Sequence, residues 1–310
     1  MKKLVRSLCT VLLPMCLSSG LAAQAAACQA VVGSGEPTGL TLDNNSNVWA
    51  AFFSGNYILQ IQSSNCAILK KVFVESGPNG IAFDGANIWV SNFNSNTISK
   101  VNASTGALLG SFGVGSGPRG VVFDGTFIWV ANYNSNTVSK IQPSNGALLG
   151  NFAVGSGPFF MAVDTANTTI WVANRNSNNV MALHQSGVIQ TTTATHTQPQ
   201  FLAFDGTNMW ASCYNSQRVD QISPAGVLLK SISVSGHNEP IGIAFDSFDE
   251  TIRGVTHGGY LFSVNTSTNA VAFTFFGGVR NSGYDVKFDH VFRLLWVADF
   301  GGGLVEGLAP

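Results

Sequence analysis

Residues 123–141, FDGTFIWVANYNSNTVSKI, decide the fold, because this stretch recurs with small changes along the whole chain. One repeat earlier, residues 83–101 read FDGANIWVSNFNSNTISKV. The tryptophans return about every 40 residues, a period typical of repeat architectures. One gap is double, and Ile252 is predicted to fill the empty place. The six tryptophans are Trp49, Trp89, Trp129, Trp171, Trp210 and Trp296.

Two further series keep the same period, so the repeat does not depend on the tryptophans alone. One series marks the start of each repeat: Pro37, Pro78, Pro118, Pro158, Pro199, Pro240 and, in the seventh place, Gly283. The other is a run of aspartates: Asp43, Asp84, Asp124, Asp164, Asp205, Asp246 and Asp289. A short carboxylate accepts hydrogen bonds from the backbone just after it, so we expect each aspartate to support its own turn. A calcium-binding ring is the alternative.

Each repeat contains four short segments separated by turn signals, which favours strands over pairs of helices. In the third repeat these segments are residues 120–123, 126–132, 137–141 and 147–154. Asp124-Gly125 between the first two is a strong hairpin signal, and no helical period persists through a repeat. Four strands per repeat, stacked around an axis, predict an all-β protein: a β-propeller of four-stranded blades, with each tryptophan as a wedge between blades.

The two ends of the chain predict how the ring closes. The last repeat has only three strands, at residues 284–288, 294–300 and 304–308. Residues 28–34 match the position that a fourth strand holds in the other repeats. We therefore expect seven blades, with the N-terminal strand completing the last blade and removing its open edge.

Composition and the N-terminus limit the class of protein. The chain has 310 residues, 45% of them hydrophobic and 10% charged, with a net charge of −1; these values exclude disorder and argue against a nucleic-acid partner. Residues 1–27 combine a basic start, an apolar run and two A-x-A sites, the features of a signal peptide. We expect residues 28–310 to form a secreted or periplasmic, monomeric propeller without a transmembrane segment. An uncleaved N-terminal anchor is the alternative, and association with the cell surface is compatible with export.

Three cysteines remain after the predicted leader: Cys28, Cys66 and Cys213. An odd number leaves at least one free thiol in a monomer, and Cys213 is expected to be buried and free. Cys28 and Cys66 are expected at the starts of outer strands in adjacent blades, where a disulfide would lock the closing strand. Outer strands of neighbouring blades can be too far apart for that bond, so the pairing stays open.

The sequence IWVANYNSNTVSKI resembles the YVTN type of propeller repeat, and PRGVVFDGTFIWVAN resembles NHL repeats and the repeats of streptogramin (virginiamycin B) lyase. The similarity covers nearly all of residues 36–308 and implies a propeller fold, in a superfamily that contains both enzymes and binding modules. In the lyase family several blades carry a carboxylate three residues after the tryptophan, and only Asp299 keeps that acid here. The matching residues are Phe52, Asn92, Asn132, Asn174, Cys213 and Asp299.

The residue after each repeat start is expected to ring the mouth of the central channel on one face, the top face, where propellers generally bind ligands. These residues are Thr38, Asn79, Arg119, Phe159, Gln200, Ile241 and Tyr284. With Asp299 they form the predicted ligand-binding set, and Arg119 is the predicted anchor for a small organic anion or a peptide. The alternative is that these side chains only fill the mouth.

One group of titratable residues falls around the sixth repeat. His237 and Glu239 lie in the loop that enters it, and His257 lies in its second loop, on the same predicted face. Two histidines and a carboxylate can bind a divalent metal or form an acid–base set, so these three are candidate catalytic and metal-binding residues. The other histidines show no partnering pattern: His184, His196 and His290.

Three functions are compatible with these patterns. We favour a binding module that recognises a protein, a peptide or a small molecule at the top face and requires no cofactor. The runner-up is a metal-assisted lyase or lactonase-like hydrolase that uses His237, Glu239 and His257. A purely structural module of the cell surface is the third.

Overall fold

The computed structural model describes residues 26–31, 35–275 and 283–309. Within them the chain forms seven four-stranded antiparallel sheets arranged as the blades of a ring, which confirms the predicted all-β propeller. None of the described segments is a helix long and apolar enough to cross a membrane. The strands are β1 (Ala26–Val31), β2 (Pro37–Leu42), β3 (Val48–Phe52), β4 (Tyr57–Ile61), β5 (Ile68–Phe73), β6 (Pro78–Phe83), β7 (Asn87–Asn92), β8 (Thr97–Asn102), β9 (Leu108–Gly113), β10 (Pro118–Phe123), β11 (Ile128–Asn132), β12 (Thr137–Ile141), β13 (Leu148–Ala153), β14 (Pro158–Asp164), β15 (Thr169–Asn174), β16 (Asn179–Leu183), β17 (Ile189–Ala194), β18 (Pro199–Phe204), β19 (Met209–Cys213), β20 (Arg218–Ile222), β21 (Leu228–Ser233), β22 (Pro240–Asp246), β23 (Thr251–Thr256), β24 (Tyr260–Asn265), β25 (Val271–Phe275), β26 (Gly283–Asp289), β27 (Leu294–Asp299) and β28 (Leu304–Leu308).

The N-terminal strand closes the ring, as predicted. Blades are numbered in chain order, from β2–β5 as blade one to blade seven, whose strand order is β1-β28-β27-β26. Gln29 of β1 lies opposite Glu306 of β28. β1 begins at Ala26, ahead of the predicted start of the domain at Cys28. Residues 1–25 lie outside the described residues, so the leader stays a prediction.

Inner strands of neighbouring blades approach closely around the central channel, and glycine makes this possible. A Cβ on Gly80 would lie 2.2 Å from the carbonyl oxygen of Arg119 in the next blade. A Cβ on Gly39 would lie 2.3 Å from the carbonyl oxygen of Asn79. Both distances are far below van der Waals contact, so a side chain at either position would push the blades apart.

The tryptophans are wedges between blades, as predicted. Trp89, on the second strand of blade two, is fully buried and packs with Val121, Ile128 and Val130 of blade three. Trp129 packs in the same way against blade four. Because a ring of this size buries on the order of 150–250 Å², each wedge contributes much of the apolar contact that holds neighbouring blades together.

The aspartate series has a structural role in the turns, as expected, and a second role that the sequence did not indicate. In blade three, Asp124 Oδ1 accepts hydrogen bonds from the backbone N–H groups of Thr126 and Phe127, at 2.8 and 2.7 Å. Its Oδ2 accepts a hydrogen bond from Trp129 Nε1 at 2.7 Å. One carboxylate therefore closes the hairpin and fixes the wedge. The same indole–carboxylate bond joins three further pairs: Trp49 to Asp43, Trp89 to Asp84 and Trp210 to Asp205.

In blade six the wedge position is held by Arg253, and the prediction that Ile252 fills it is wrong. Ala244 lies opposite Arg253, just as Val122 lies opposite Trp129 in blade three. Since side chains alternate between the two faces of a strand, Ile252 points to the other face. Counting a fixed period of about 40 residues leads to Ile252 and not to Arg253. The reason is that the β22–β23 hairpin of blade six is longer than the β10–β11 hairpin of blade three.

The cysteines are partly as expected. Cys213 is buried and free. Cys66 is disulfide-bonded. The backbone of Cys28 lies opposite Gly307 in the closing strand, but its side chain lies outside the described part of the chain, so the pairing of Cys28 with Cys66 stays a prediction.

Candidate functional site

A cavity of about 300 Å³ opens on the top face, off the channel axis. Five of the seven predicted mouth residues line it, and they come from blades three to seven. These five are Arg119, Phe159, Gln200, Ile241 and Tyr284. The structure therefore brings most of the predicted set together on one side of the mouth.

The remaining members of the predicted ligand-binding set do not line this cavity. Thr38 is buried, and its hydroxyl donates to the carbonyl oxygens of Pro78 and Asn79 at 3.2 and 3.1 Å. Asn79 is buried as well and is hydrogen-bonded to Tyr284. Asp299 is fully buried, and its Oδ1 accepts the backbone N–H of Gly302 at 3.1 Å. Thr38 and Asn79 therefore bond to other blades, and Asp299 supports the turn between β27 and β28.

Phe159 and Tyr284, which line the cavity, belong to an aromatic cluster that also contains Phe160 and Phe201. The rings of Phe160 and Phe201 stack with centroids 4.0 Å apart, and Tyr284 meets Phe201 edge-on at 5.8 Å. Phe160 and Asp285 line a second cavity of about 240 Å³. Tyr284 and Asp285, adjacent in sequence, thus line different cavities.

The cavity wall includes four members of a second ring of residues, Arg175, Tyr214, His257 and Phe300, of which the sequence had singled out only His257. Its members occupy the fourth position after each wedge: Phe53, Phe93, Tyr133, Arg175, Tyr214, His257 and Phe300. We call this set the outer ring. In blade three, the backbone N–H of Tyr133 donates to the carbonyl of Gly117 at 2.9 Å, and five other blades repeat this bond. The signal was present in the repeat, because every outer-ring residue carries a planar π system, six as rings and one as a guanidinium.

Three aromatic side chains surround the guanidinium of Arg119. Its guanidinium carbon lies 4.8, 5.0 and 4.6 Å from the ring centroids of Phe93, Tyr133 and Phe159. Nη1 donates to the Tyr284 hydroxyl oxygen at 3.0 Å, whereas Nε is buried and has no hydrogen-bond partner. Cation–π contacts of this kind hold the charge in place without neutralising it.

Arg175 brings a second guanidinium to the same wall. Its carbon lies 5.7 Å from the Phe159 centroid, and Nη2 donates to Gln198 Oε1 at 3.0 Å. Its Nε is also buried without a partner. Burial acts to raise the pKa of the nearby Tyr133 phenol, but hydrogen bonds with Asn176 and Arg175 and the charges of Arg175 and Arg119 outweigh it and lower that pKa. The part of the cavity wall formed by Arg119 and Arg175 therefore carries positive charge.

The predicted catalytic set is only partly brought together. His257 lines the cavity, and its Nδ1 lies 4.0 Å from Glu239 Oε2. His237 instead packs against the rings of Tyr260 and Phe273, with centroids 4.1 and 4.5 Å away. In the described part of the chain, no three His, Cys, Asp or Glu side chains are grouped so that they could hold a metal ion. The pair of Glu239 and His257 is what remains beside the cavity.

A partnered histidine lies in blade five, contrary to the expectation that His196 has no partner. His196 Nδ1 lies 3.0 Å from Oδ1 of the fully buried Asp220. The Cys213 thiol donates to Asp220 Oδ2 at 3.4 Å. Burial, together with the charge of Asp220, raises the pKa of Cys213 well above its usual value, so this thiol is unsuited to act as a nucleophile.

Comparison with known proteins identifies the fold. A scan against protein-family models and a search of curated proteins gave no match. Among solved structures, virginiamycin B lyase from Staphylococcus aureus is similar with a TM-score of 0.80 and 16% identity, over 91% of this chain and 98% of that one. A streptogramin B lyase structure gives a TM-score of 0.77 and 18% identity, over 89% and 93% of the two chains.

Hydrazine synthase from Kuenenia stuttgartiensis is also similar, with a TM-score of 0.76 and 16% identity over 90% of this chain and 96% of that one. Proteins with different chemistry thus share this architecture, and identities at this level establish the fold alone. The chain is a seven-bladed β-propeller with the fold of the streptogramin lyases.

Proposed function

We propose that the chain is an exported, monomeric binding module that takes a small molecule, or the end of a peptide, into the top-face cavity. The observation that carries this proposal is the convergence of residues from five consecutive blades on one cavity of about 300 Å³. Concave sites with apolar walls and a few convergent polar groups are where proteins usually bind ligands.

The polar groups of the cavity support binding over a purely structural role. Buried polar atoms normally find hydrogen-bond partners, because leaving them unpaired costs folding free energy. The Nε atoms of Arg119 and Arg175 lack partners within the chain. This cost falls on two side chains that line the cavity. A ligand with acceptor atoms would bind the guanidinium N–H groups that face it, whereas a structural cell-surface module gains nothing from this arrangement.

A ligand-observed NMR screen with a mixed fragment library tests the proposal. Ile241→Trp would fill the cavity, and Val188→Trp is the matched control, because Val188 is 64% exposed before the outer strand of blade four. We expect hits that bind the wild-type protein and Val188→Trp but not Ile241→Trp, with similar melting temperatures for all three. A hit list unaffected by Ile241→Trp would overturn the proposal.

A lyase or lactonase-like hydrolase is the second candidate, and the pair of Glu239 and His257 favours it. An imidazole oriented by a carboxylate can remove a proton from a bound substrate or activate water. The described residues do not fit a three-ligand metal site, so no step is assigned to a metal. Turnover of a streptogramin B or a lactone panel that is lost in His257→Ala, and retained in His237→Ala and in chelator, would establish this activity; no turnover by the wild-type protein would exclude it for these substrates.

A further inference from the structure

We propose that the ligand of the top-face cavity is a small organic anion, a monocarboxylate with a flat apolar body, whose carboxylate is held between Arg119 and Arg175. This inference rests on the proposed function of the cavity. It adds the chemical class of the ligand and its orientation, with the carboxylate end at Arg119 and Arg175.

The charges of Arg119 and Arg175 are not compensated by carboxylates among the described residues. Within the described part of the chain, neither guanidinium lies within ion-pair distance of a carboxylate. Their hydrogen bonds go to neutral oxygens: the Tyr284 hydroxyl, the Gln198 amide and the Tyr133 phenol. Partly buried cations without counter-charges are costly, and an anionic ligand would offset this cost.

The two guanidiniums are positioned by the same aromatic side chain. Both guanidiniums lie over the ring of Phe159, at 4.6 and 5.7 Å from its centroid, so one aromatic side chain positions both charges. Each keeps a buried Nε–H without a partner. Arginine presents its N–H groups in a rigid planar fork that matches the two oxygens of a carboxylate. The donors are thus held in place before the ligand arrives.

Apolar and aromatic side chains form another side of the cavity. Ile241, Phe300 and Tyr214 line that side and offer flat apolar surface. Glu239 lies behind it, next to His257. Burial, and then the charge of Glu239, raises the pKa of Tyr214, although the charge of Arg175 opposes this. A second carboxylate would be repelled there, so the cavity favours one anionic end and one apolar end.

The test compares phenylacetate with phenylacetamide, its neutral counterpart of nearly the same shape. Titration calorimetry on the purified wild-type protein should show phenylacetate binding at least about tenfold more tightly, since hydrogen bonds to charged groups contribute more than neutral ones. This preference should shrink as salt screens the charges. Arg175→Met should remove most of the preference, and Arg119→Met should do the same if that variant keeps its melting temperature.

Arg218→Met is the control, because Arg218 donates to the Ser231 carbonyl at 3.2 Å and does not line the cavity. Equal affinity for the amide and the carboxylate, or no detectable phenylacetate binding at millimolar concentration, would overturn the inference. The proposed function is judged separately by the fragment screen. Ile241→Trp-sensitive hits that are all neutral or cationic would leave the binding module standing and remove the anion.

Discussion

Arg253 donates a hydrogen bond from Nε to Oδ2 of Asp246 over 2.7 Å, in the position where other blades join an indole N–H to an aspartate. Arg253 therefore takes the place that tryptophan holds in the other blades. It keeps the hydrogen bond to the aspartate of the turn but has no indole ring. Asp246 is fully buried, and the same guanidinium reaches Asp249 through Nη2 at 2.6 Å. Asp246, Asp249 and Arg253 all belong to blade six, so these ion pairs hold its first hairpin together at the place where other blades carry an aromatic ring.

Arg253→Met should lower the free energy of unfolding by about 3 kcal/mol, because it leaves the buried Asp246 carboxylate without its cation. Arg253→Trp should recover part of that loss, since an indole N–H can again reach Asp246. Urea unfolding followed by fluorescence measures both. Arg293→Met is the control: its guanidinium is 53% exposed and 3.6 Å from Asp249, so its change should stay within about 1 kcal/mol. Equal losses for Arg253→Met and Arg293→Met would contradict the role given to Arg253.

The indole–carboxylate bond can be isolated by comparing two tryptophans. Trp129→Phe removes the donor to Asp124, whereas Trp171 Nε1 has no partner, because Asp164 Oδ2 instead accepts from Asn167 Nδ2. Both changes remove similar volume from buried wedges. We expect Trp129→Phe to cost about 1–3 kcal/mol more than Trp171→Phe, the usual range for an orphaned buried acceptor. The same loss in both variants, measured by chemical denaturation, would show that only packing matters.

Glu306 should make stability depend on pH in a direction opposite to that of most carboxylates. Burial, aided by the charge of Asp299, raises the pKa of Glu306 above its usual 4.5, although a hydrogen bond from Gln29 opposes this. The ionised form is therefore penalised in the folded state, and this penalty disappears as pH falls below about 4.5. Glu306→Gln should raise the melting temperature at pH 7, with the difference from wild type fading on acidification. A difference that stays constant with pH would rule out this linkage.

Gly80→Ala should destabilise the ring by about 1–3 kcal/mol, because the added methyl group would overlap the Arg119 carbonyl of the next blade. It should also weaken the binding of any ligand that contacts Arg119. Gly113→Ala is the matched control: a Cβ there meets nothing within 4 Å, and the change should stay within about 0.5 kcal/mol. Thermal unfolding that ranks the two variants equally would show that the inner strands tolerate more separation than their contact distances imply.

The sequence predicted the ring well because its evidence was periodic. Trp129, Asp124 and the shortened last repeat each follow from the period or from the ends of the chain, and the structure confirms the wedge, the turn and the closing strand. Register is different, since it depends on hairpin length and pairing, which a fixed period does not contain. That is why Ile252 was assigned a place that Arg253 holds.

The candidate site was only partly predictable for a related reason. Arg119 and Tyr284 were found because they follow a repeat marker, but Arg175 and Phe300 belong to the outer ring, which has no single residue type to mark it. Side-chain direction decided the rest: His237 turns to Tyr260 and Phe273, away from the cavity. Such directions depend on packing between blades, and no one repeat specifies them.

The pairing of β1 with β28 determines when the ring can close during synthesis. Gln29 and Glu306 are separated by 277 positions, so β1 is synthesised long before its partner β28. Until then the growing molecule has two unpaired sheet edges, which invite association with other chains, and closure over such a distance is slow. A chain whose translation stops before β28 would keep these unpaired edges and would be prone to aggregate.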